Sequence, residues 1–381
     1  MVLEDVCELI ADCPHTTAPD EGKGYPLIRT PNVGKGRLLL EGVHRVSKDI
    51  YDKRNMRAIP QKDDIIFARE APAGNAALIR EGQEVCLGQR TVLIRPDCEK
   101  VFPKYLVYYL LAPEQQYKLL GTANGATVAH VNLPVIRKMP IELPDIDVQQ
   151  KIAGYISIYD DLIENNQKQI KLLEEAAQRL YKEWFIDLRF PGYENCKIVD
   201  GVPEGWEIVS ISDVADLKAG GDKPKDFANT LTNECTIPVF ANGITDKGLM
   251  GFTNKPTITK PSVTISARGT VGVVFLRREP FMPIVRLISV TPNEEKMDVF
   301  YLYLYLANQS FRSTGAAQQQ ITVPLLKNKT IMCPDEGVRK TFEMYTKTIF
   351  DKIQGLEKQT MKLIEARDRL LPKLMSGEIE V

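Results

Sequence analysis

The sequence predicts an α+β chain built as two tandem mixed α/β modules, each followed by a long helix, with the two helices pairing as an antiparallel coiled coil. Three observations predict it. Sliding the chain by 190 positions aligns residues 125–185 with 315–375 without a gap, and 17 of those 61 positions are identical. A period near 190 is far longer than the 20 to 50 residues of a solenoid unit, so each copy is a whole domain plus an attached element. The second observation is an apolar seam alternating by four and three after each module, and the third is the short β-branched runs and glycine-rich turns within each module.

The 381 residues and 42.9 kDa suit two or three domains. An apolar fraction of 44% and a charged fraction of 26% exclude a disordered or collagen-like chain. Lys plus Arg total 49 against 50 Asp plus Glu, so the chain as a whole is no polybasic coat for nucleic acid. The balance is uneven along it. Residues 1–140 and 191–334 are net +2 and +1, whereas residues 141–190 carry 6 basic against 10 acidic groups. Seven cysteines without a C-x-x-C pair read as reduced thiols of a cytoplasmic protein. No targeting signal is expected from the charged opening MVLEDVCELIADC, and the longest strongly apolar runs, such as residues 105–112, fall far short of the ~20 residues of a membrane span.

The first module is expected over residues 1–146. Its opening LEDVCEL resembles ISDVADL from Ile211, YPLIR at Tyr25 resembles IPVFA at Ile237, and IIFAREAPAG at Ile65 resembles VTISARGTVG at Val263. Residues 262–265 and 284–290 read as strands of the second module. One amphipathic helix per module is expected, at residues 103–111 and 299–307. A helix follows over 147–188, with seam positions Ile152, Ile156, Tyr159, Ile163, Asn166, Ile170, Leu173, Ala177, Leu180 and Trp184. After a linker at 189–205, the second module covers 206–334. The second helix, 335–381, keeps the register at Phe342, Thr346, Ile349, Ile353, Leu356, Thr360, Leu363, Arg367, Leu370 and Leu374. Asp145 and Asp335 suit the two helix starts. One narrow seam over ~55 Å asks for a partner helix, and chain direction makes the pair antiparallel, because the second helix must travel back. A helix packed only on its own module is the blander alternative, and a partner subunit could fill part of the groove.

No catalytic signature is found. A nucleotide-binding G-x-x-x-x-G-K-[ST] loop, a G-x-G-x-x-G turn and an H-E-x-x-H pair are all missing, and three histidines (His15, His44, His130) offer no metal spacing. What remains suits DNA. Between residues 35 and 57 stand Lys35, Arg37, Arg45, Lys48, Lys53, Arg54 and Arg57 against three acidic residues, with His44 and Tyr51 interleaved. Charge runs of this kind are also common on solvated faces. Lys223 and Lys225 are the basic candidates of the second module. Arg69 and Arg268 are expected at equivalent places before a small-residue turn, each a guanine reader or a structural clamp. The loop GATVAHVN at 125–132 aligns with GAAQQQIT at 315–322. Its polar tips differ, His130 and Asn132 against Gln318, Gln319 and Gln320, as two readers of different targets would.

Three segments are similar to those of the specificity subunits of type I restriction-modification systems: LPDIDVQQKIAGYI from Leu143, AAQRLYKEWFIDLRFPG from Ala176 and RLLPKLMSGEIEV from Arg369. The resemblance covers nearly the whole chain. Two departures stand out, PDEGVRKTFEMY from Pro334 in the second copy and Val148 where an acidic residue is common. The resemblance implies two target recognition domains, each docking one half of a split double-stranded DNA site in the major groove, with the helix pair setting the spacing. It also implies two adenine methyltransferase subunits, which bring S-adenosylmethionine, and optional motor-nuclease subunits. No cofactor, metal or catalytic residue is then expected in this chain. A duplicated coiled-coil scaffold that binds only proteins is the alternative.

Overall fold

A computed structural model describes residues 1–121, 130–311 and 320–381. The chain divides into two compact units, one of residues 1–167 with 358–381 and one of residues 168–357. Each unit therefore holds one module together with part of each long helix.

In the first unit a five-stranded sheet runs in the order Cys7–Asp12, Thr91–Pro96, Ile65–Ala68, Ala76–Leu78, Gly36–Arg37. Ile65 lies opposite Ile94 and Phe67 opposite Val92. Because side chains alternate across a strand, Ile65, Phe67, Val92 and Ile94 enter the core shared with the helices, while Ile66, Ala68 and Leu93 enter a second core on the other face. Burial on both faces explains why IIFA and VLI are apolar without a break. A smaller sheet pairs Tyr25–Ile28 antiparallel with Arg45–Val46 and parallel with Cys86–Leu87. The helix Pro103–Leu111 covers the main sheet, with Tyr105, Leu106, Val107 and Leu110 at most 1% exposed.

The second unit repeats this plan. Its main sheet runs Ala215–Ala219, Ile288–Pro292, Ser262–Ile265, Val274–Arg277, and its smaller sheet joins Leu249–Thr253, Ile237–Phe240 and Met282–Pro283, the last pairing again parallel. The second face differs in kind. Where the first unit buries Ile66 and Leu93, the second buries Thr264 and Ser289, and Thr264 Oγ1 accepts from the buried Arg277 Nε at 3.0 Å. The strand expected over 284–290 is shorter than its pattern suggests. Val285 and Arg286 take φ of 52° and 61°, which breaks extended pairing, and the strand begins only at Ile288. The segment 189–205, expected as a linker, carries a hairpin of Ile198–Val199 and Val202–Pro203, and Phe190 packs on Trp206 with ring centroids 4.6 Å apart.

The long helices run over Ile146–Tyr181, extended by a π-turn at Lys182–Ile186, and over Glu336–Met375. The second starts on Asp335, whose Oδ1 accepts from Gly337 N at 2.8 Å and Val338 N at 3.1 Å. They pair antiparallel. In the first unit, as the first helix advances from Asp160 to Asn166, its partner recedes from Arg367 to Thr360. Ile156, Ile163 and Asn166 are buried there, with Tyr159, Leu363 and Leu370 half-buried. In the second unit Ile353 and Leu356 are buried, and Ile170, Leu173, Leu180 and Ile349 are partly so. The seam is wider than a narrow stripe, because each helix also completes a module core. Ile152, Ala153, Ile156, Leu371 and Leu374 join the first core, whereas Ala177, Tyr181, Trp184, Phe342 and Phe350 join the second. Pairing and packing on the module are both realised.

Candidate nucleic-acid interface

Much of the basic run at 35–57 is tied into the fold. Arg54 is buried and donates to three carbonyls, Leu87 O at 2.6 Å, Thr16 O at 3.0 Å and Pro14 O at 3.3 Å, which clamps a loop and leaves no donor face for a phosphate. Arg57 donates to Asp12 O at 3.0 Å and Arg45 to Gly24 O at 2.7 Å. Arg37 turns to the first long helix, donating to Gln167 and lying 3.5 Å from Glu164 Oε2. Lys48 pairs with Asp52 at 2.8 Å and lies 4.7 Å above the Tyr51 ring. Lys35 and Lys53 are exposed and make no hydrogen bond or ion pair with another described residue. In the second module Lys223 Nζ stands 3.5 Å above the Phe227 ring, and Lys225 is exposed.

The end of the central strand is built identically in the two units. Ala68 N donates to Asn75 O and Gly74 N to Ala68 O, both at 2.8 Å; Ser266 N donates to Val273 O and Gly272 N to Ser266 O, both at 2.9 Å. The returning loop closes on the next residue, Val131 N to Arg69 O at 3.0 Å and Ile321 N to Ala267 O at 3.2 Å. These bonds correct the expected equivalence of Arg69 with Arg268. Arg69 corresponds to Ala267, and Arg268 corresponds to Glu70. One step along an extended chain turns a side chain to the other face, so the two arginines face different surroundings. Arg69 is 7% exposed, donates Nε to Val131 O at 2.9 Å and chelates Asp12 at 3.0 and 3.2 Å. Arg268 is exposed.

Position 130 corresponds to 320, and in each unit it meets the position of Glu70 or Arg268. His130 Nδ1 lies 2.5 Å from Glu70 Oε1, and its Nε2 lies 3.0 Å from Arg69 Nη2. Arginine only donates, so Nε2 accepts and Nδ1 carries the proton toward Glu70. In the second unit Arg268 Nη2 donates to Gln320 Oε1 at 3.4 Å. The same frame thus presents an acid with an imidazole in one unit and a guanidinium with an amide in the other. Sequence reasoning overlooks Glu70 because the pairing of Arg69 with Arg268 follows residue type and is one residue out of step, whereas the gapless match of the two segments, with Gly74 over Gly272, carries the right register. Asn132 precedes the helix Leu133–Arg137 and its side chain makes no capping bond. Gln318 and Gln319 lie outside the described residues.

At the other end of the central strand in the second unit, where Arg277 lies opposite Ser262, burial pushes the Arg277 guanidinium down to about 9, and its Cζ lies 3.6 Å from the Phe240 ring centroid. Among the described residues no group of three or more His, Cys, Asp or Glu is placed to hold a metal, and no helix is long and apolar enough to cross a membrane. An edge of mixed donors and acceptors on rigid sheet ends can hydrogen-bond base edges and phosphates.

Comparison with known proteins agrees in kind. The chain is similar to the MjaIX specificity subunit of a type I restriction enzyme from Methanocaldococcus jannaschii, 25% identical over 361 residues that cover 89% of this chain and 83% of that protein. It is also similar to the putative MjaX specificity subunit of the same organism, 26% identical over 400 residues, covering 100% of this chain and 93% of that one. Among solved structures, the type I restriction-modification S subunit from M. genitalium shares the fold, with a TM-score of 0.60 at 15% identity over 98% of this chain and 95% of that one. The family model for the type I restriction modification DNA specificity domain matches residues 1–175 and again 203–371, one match per copy of the repeat. The chain therefore belongs to the type I restriction-modification DNA specificity family.

Proposed function

We propose that this chain is the non-catalytic specificity subunit of a type I restriction-modification complex and reads a bipartite, asymmetric site in double-stranded DNA. Each recognition module takes one half-site, and the antiparallel helix pair sets the spacing between them. Two adenine methyltransferase subunits, which carry S-adenosylmethionine, are recruited beside the helices, and motor-nuclease subunits join optionally. The observation that carries the reading is the shared frame with unlike contents. Glu70 with His130 and Arg268 with Gln320 occupy the same two positions of duplicated modules, so the modules are equal in architecture and different in the edge they offer. A scaffold binding only proteins has no use for that difference. The acidic excess of residues 141–190 favours a protein partner there over phosphate.

Binding to DNA is the test. A duplex with both half-sites, selected from a random pool, should bind the methyltransferase-bound chain at least ~10³ times more tightly than random duplex at equal salt, with affinity falling steeply as salt rises. A pool that yields no preferred sequence, or binding to partner proteins alone, favours the scaffold.

A further inference from the structure

The turn entering the second strand of each main sheet holds an arginine at equivalent positions of the two modules, Arg90 and Arg286. Arg90 has φ of 64° and Arg286 φ of 61°, directly after Val285 at 52°. Their equivalence rests on backbone bonds: Cys13 N donates to Thr91 O at 3.3 Å, and Gly220 N to Leu287 O at 2.8 Å, each accepted by the residue after the arginine. The spacing agrees, since Arg90 and Pro96 stand as far apart as Arg286 and Pro292. The left-handed region is unfavourable for side chains other than glycine and is a true outlier for a β-branched residue such as Val285. Both modules nevertheless keep an arginine where glycine would relieve the backbone. Strain retained in this way clusters at ligand sites.

Both arginines lie beside the edge described above. Arg69 N donates to Arg90 O at 2.9 Å, and in the second unit Asn242 bridges the two turns, accepting from Ala267 N and donating to Val285 O, each at 2.7 Å. The Arg90 side chain is 61% exposed and its Nη1 lies 2.6 Å from Glu70 Oε2. Arg286 is exposed, and its side chain makes no hydrogen bond or ion pair with a described residue. The carboxylate that holds Arg90 is replaced in the second unit by Arg268.

We propose that Arg90 and Arg286 are equivalent DNA-contacting residues, one per recognition module, and that the residue at the Glu70/Arg268 position decides how each is used. The inference deepens the specificity-subunit reading and rests on it. Glu70 holds Arg90 in the free chain, so the first module exchanges that ion pair for DNA and offers a carboxylate acceptor for an exocyclic amine. Arg286 stands ready, and with Arg268 gives the second module two guanidinium forks suited to guanine O6 and N7 or to phosphate. The second module therefore supplies the steeper share of the salt dependence.

The test uses the chain purified with its methyltransferase subunits, titrated over a salt series with duplex carrying its selected site and with random duplex. Arg286→Asn and Arg90→Asn remove the guanidinium while keeping a residue that tolerates the left-handed region. Arg286→Asn should weaken specific binding about tenfold to a hundredfold and lower the salt slope by about one. Arg90→Asn should weaken specific binding with a smaller change in slope, and Glu70→Gln should raise affinity for random duplex. Arg286→Lys separates the two sources of the contact: recovery on both duplexes marks a phosphate, recovery on random duplex alone marks guanine. If both asparagine variants match the wild type in affinity and slope while the wild type selects a site, the assignment is overturned and the specificity reading stands. A wild-type complex that selects no sequence overturns that reading, and the assignment with it.

Discussion

Asp298 caps the helix Val299–Ala307, its Oδ1 accepting from Phe300 N at 2.7 Å and Tyr301 N at 3.1 Å, while Oδ2 has no hydrogen-bond partner. Burial pushes its carboxyl up from 3.8 to about 6, against the smaller opposing pull of the two amides, with Glu343 adding to the rise and Arg339 opposing it. The folded chain therefore keeps this proton after the unfolded chain has released it. Stability from this group falls as pH rises from about 4 to about 6 and stays at its lower value above that. Asp298→Asn, which keeps an acceptor at the cap, and Asp298→Ala, which does not, should both flatten the slope in that window, and Asp298→Ala should lie about 1 kcal/mol below Asp298→Asn. Both tryptophans of the chain, Trp184 and Trp206, are buried in the second unit's core, so urea midpoints followed by tryptophan fluorescence read that unit directly. An unaltered pH slope in Asp298→Asn would contradict the assignment. Residues of this kind were not legible in the sequence, and neither were the roles of Arg54 and Arg69, because a string of basic letters does not say which guanidinium faces inward. The pairing of Arg69 with Arg268 fails for a related reason. Likeness of residue type competed with register, and the backbone bonds follow register.

Elements were far more legible than residues. The seam's alternation marked both long helices, and its irregularities turn out to be matched to one another. Asn166, the one strongly polar residue of the first seam, donates to Thr360 Oγ1 at 3.3 Å, and Arg367, the charged intruder in the second, donates to Asp160 Oδ1 at 2.8 Å. Asp160 Oδ2 in turn accepts from Tyr108 OH at 2.6 Å, which ties the first module's helix to the pair. A buried polar pair in a seam stabilises less than leucines would and selects one register. Asn166→Leu combined with Thr360→Leu should therefore add about 1–2 kcal/mol of stability and raise the thermal midpoint, while Asn166→Ala alone lowers it. A double variant less stable than the wild type would show that the pair is held by more than register. Gln149 explains another part of the sequence pattern. It is 1% exposed, accepts from Phe102 N at 2.9 Å and donates to Pro144 O at 2.8 Å, so a glutamine soon after the helix start fastens that helix to the module it leaves. The break at Val285 and Arg286 is hidden because 284–290 is rich in β-branched residues, and left-handed backbone leaves no trace in such a pattern.

At the scale of the whole molecule, the near-zero net charge conceals a division of labour that the duplication makes visible. The modules are weakly basic and the first helix acidic, which suits modest DNA affinity in the chain alone and agrees with the proposed methyltransferase subunits supplying further phosphate neutralisation. Fold class was legible because a repeat of 190 positions and a heptad seam are both long-range patterns. The bases are not legible, because the proposed reading edge consists of a few side chains carried on turns. The central claim, that two modules read two half-sites at a distance set by the helices, is tested most directly by mapping the methylated motif left on DNA by the purified complex, for three forms of the chain. Wild type should give a two-part motif with a fixed spacer. Arg268→Ala with Gln320→Ala should relax only one half of it. Four residues added to each long helix lengthen each by about 6 Å, near two base-pair steps of ~3.4 Å, and should lengthen the spacer with both halves retained. A single contiguous motif, a change in both halves from the second-module variant, or an unaltered spacer in the lengthened chain would contradict the account.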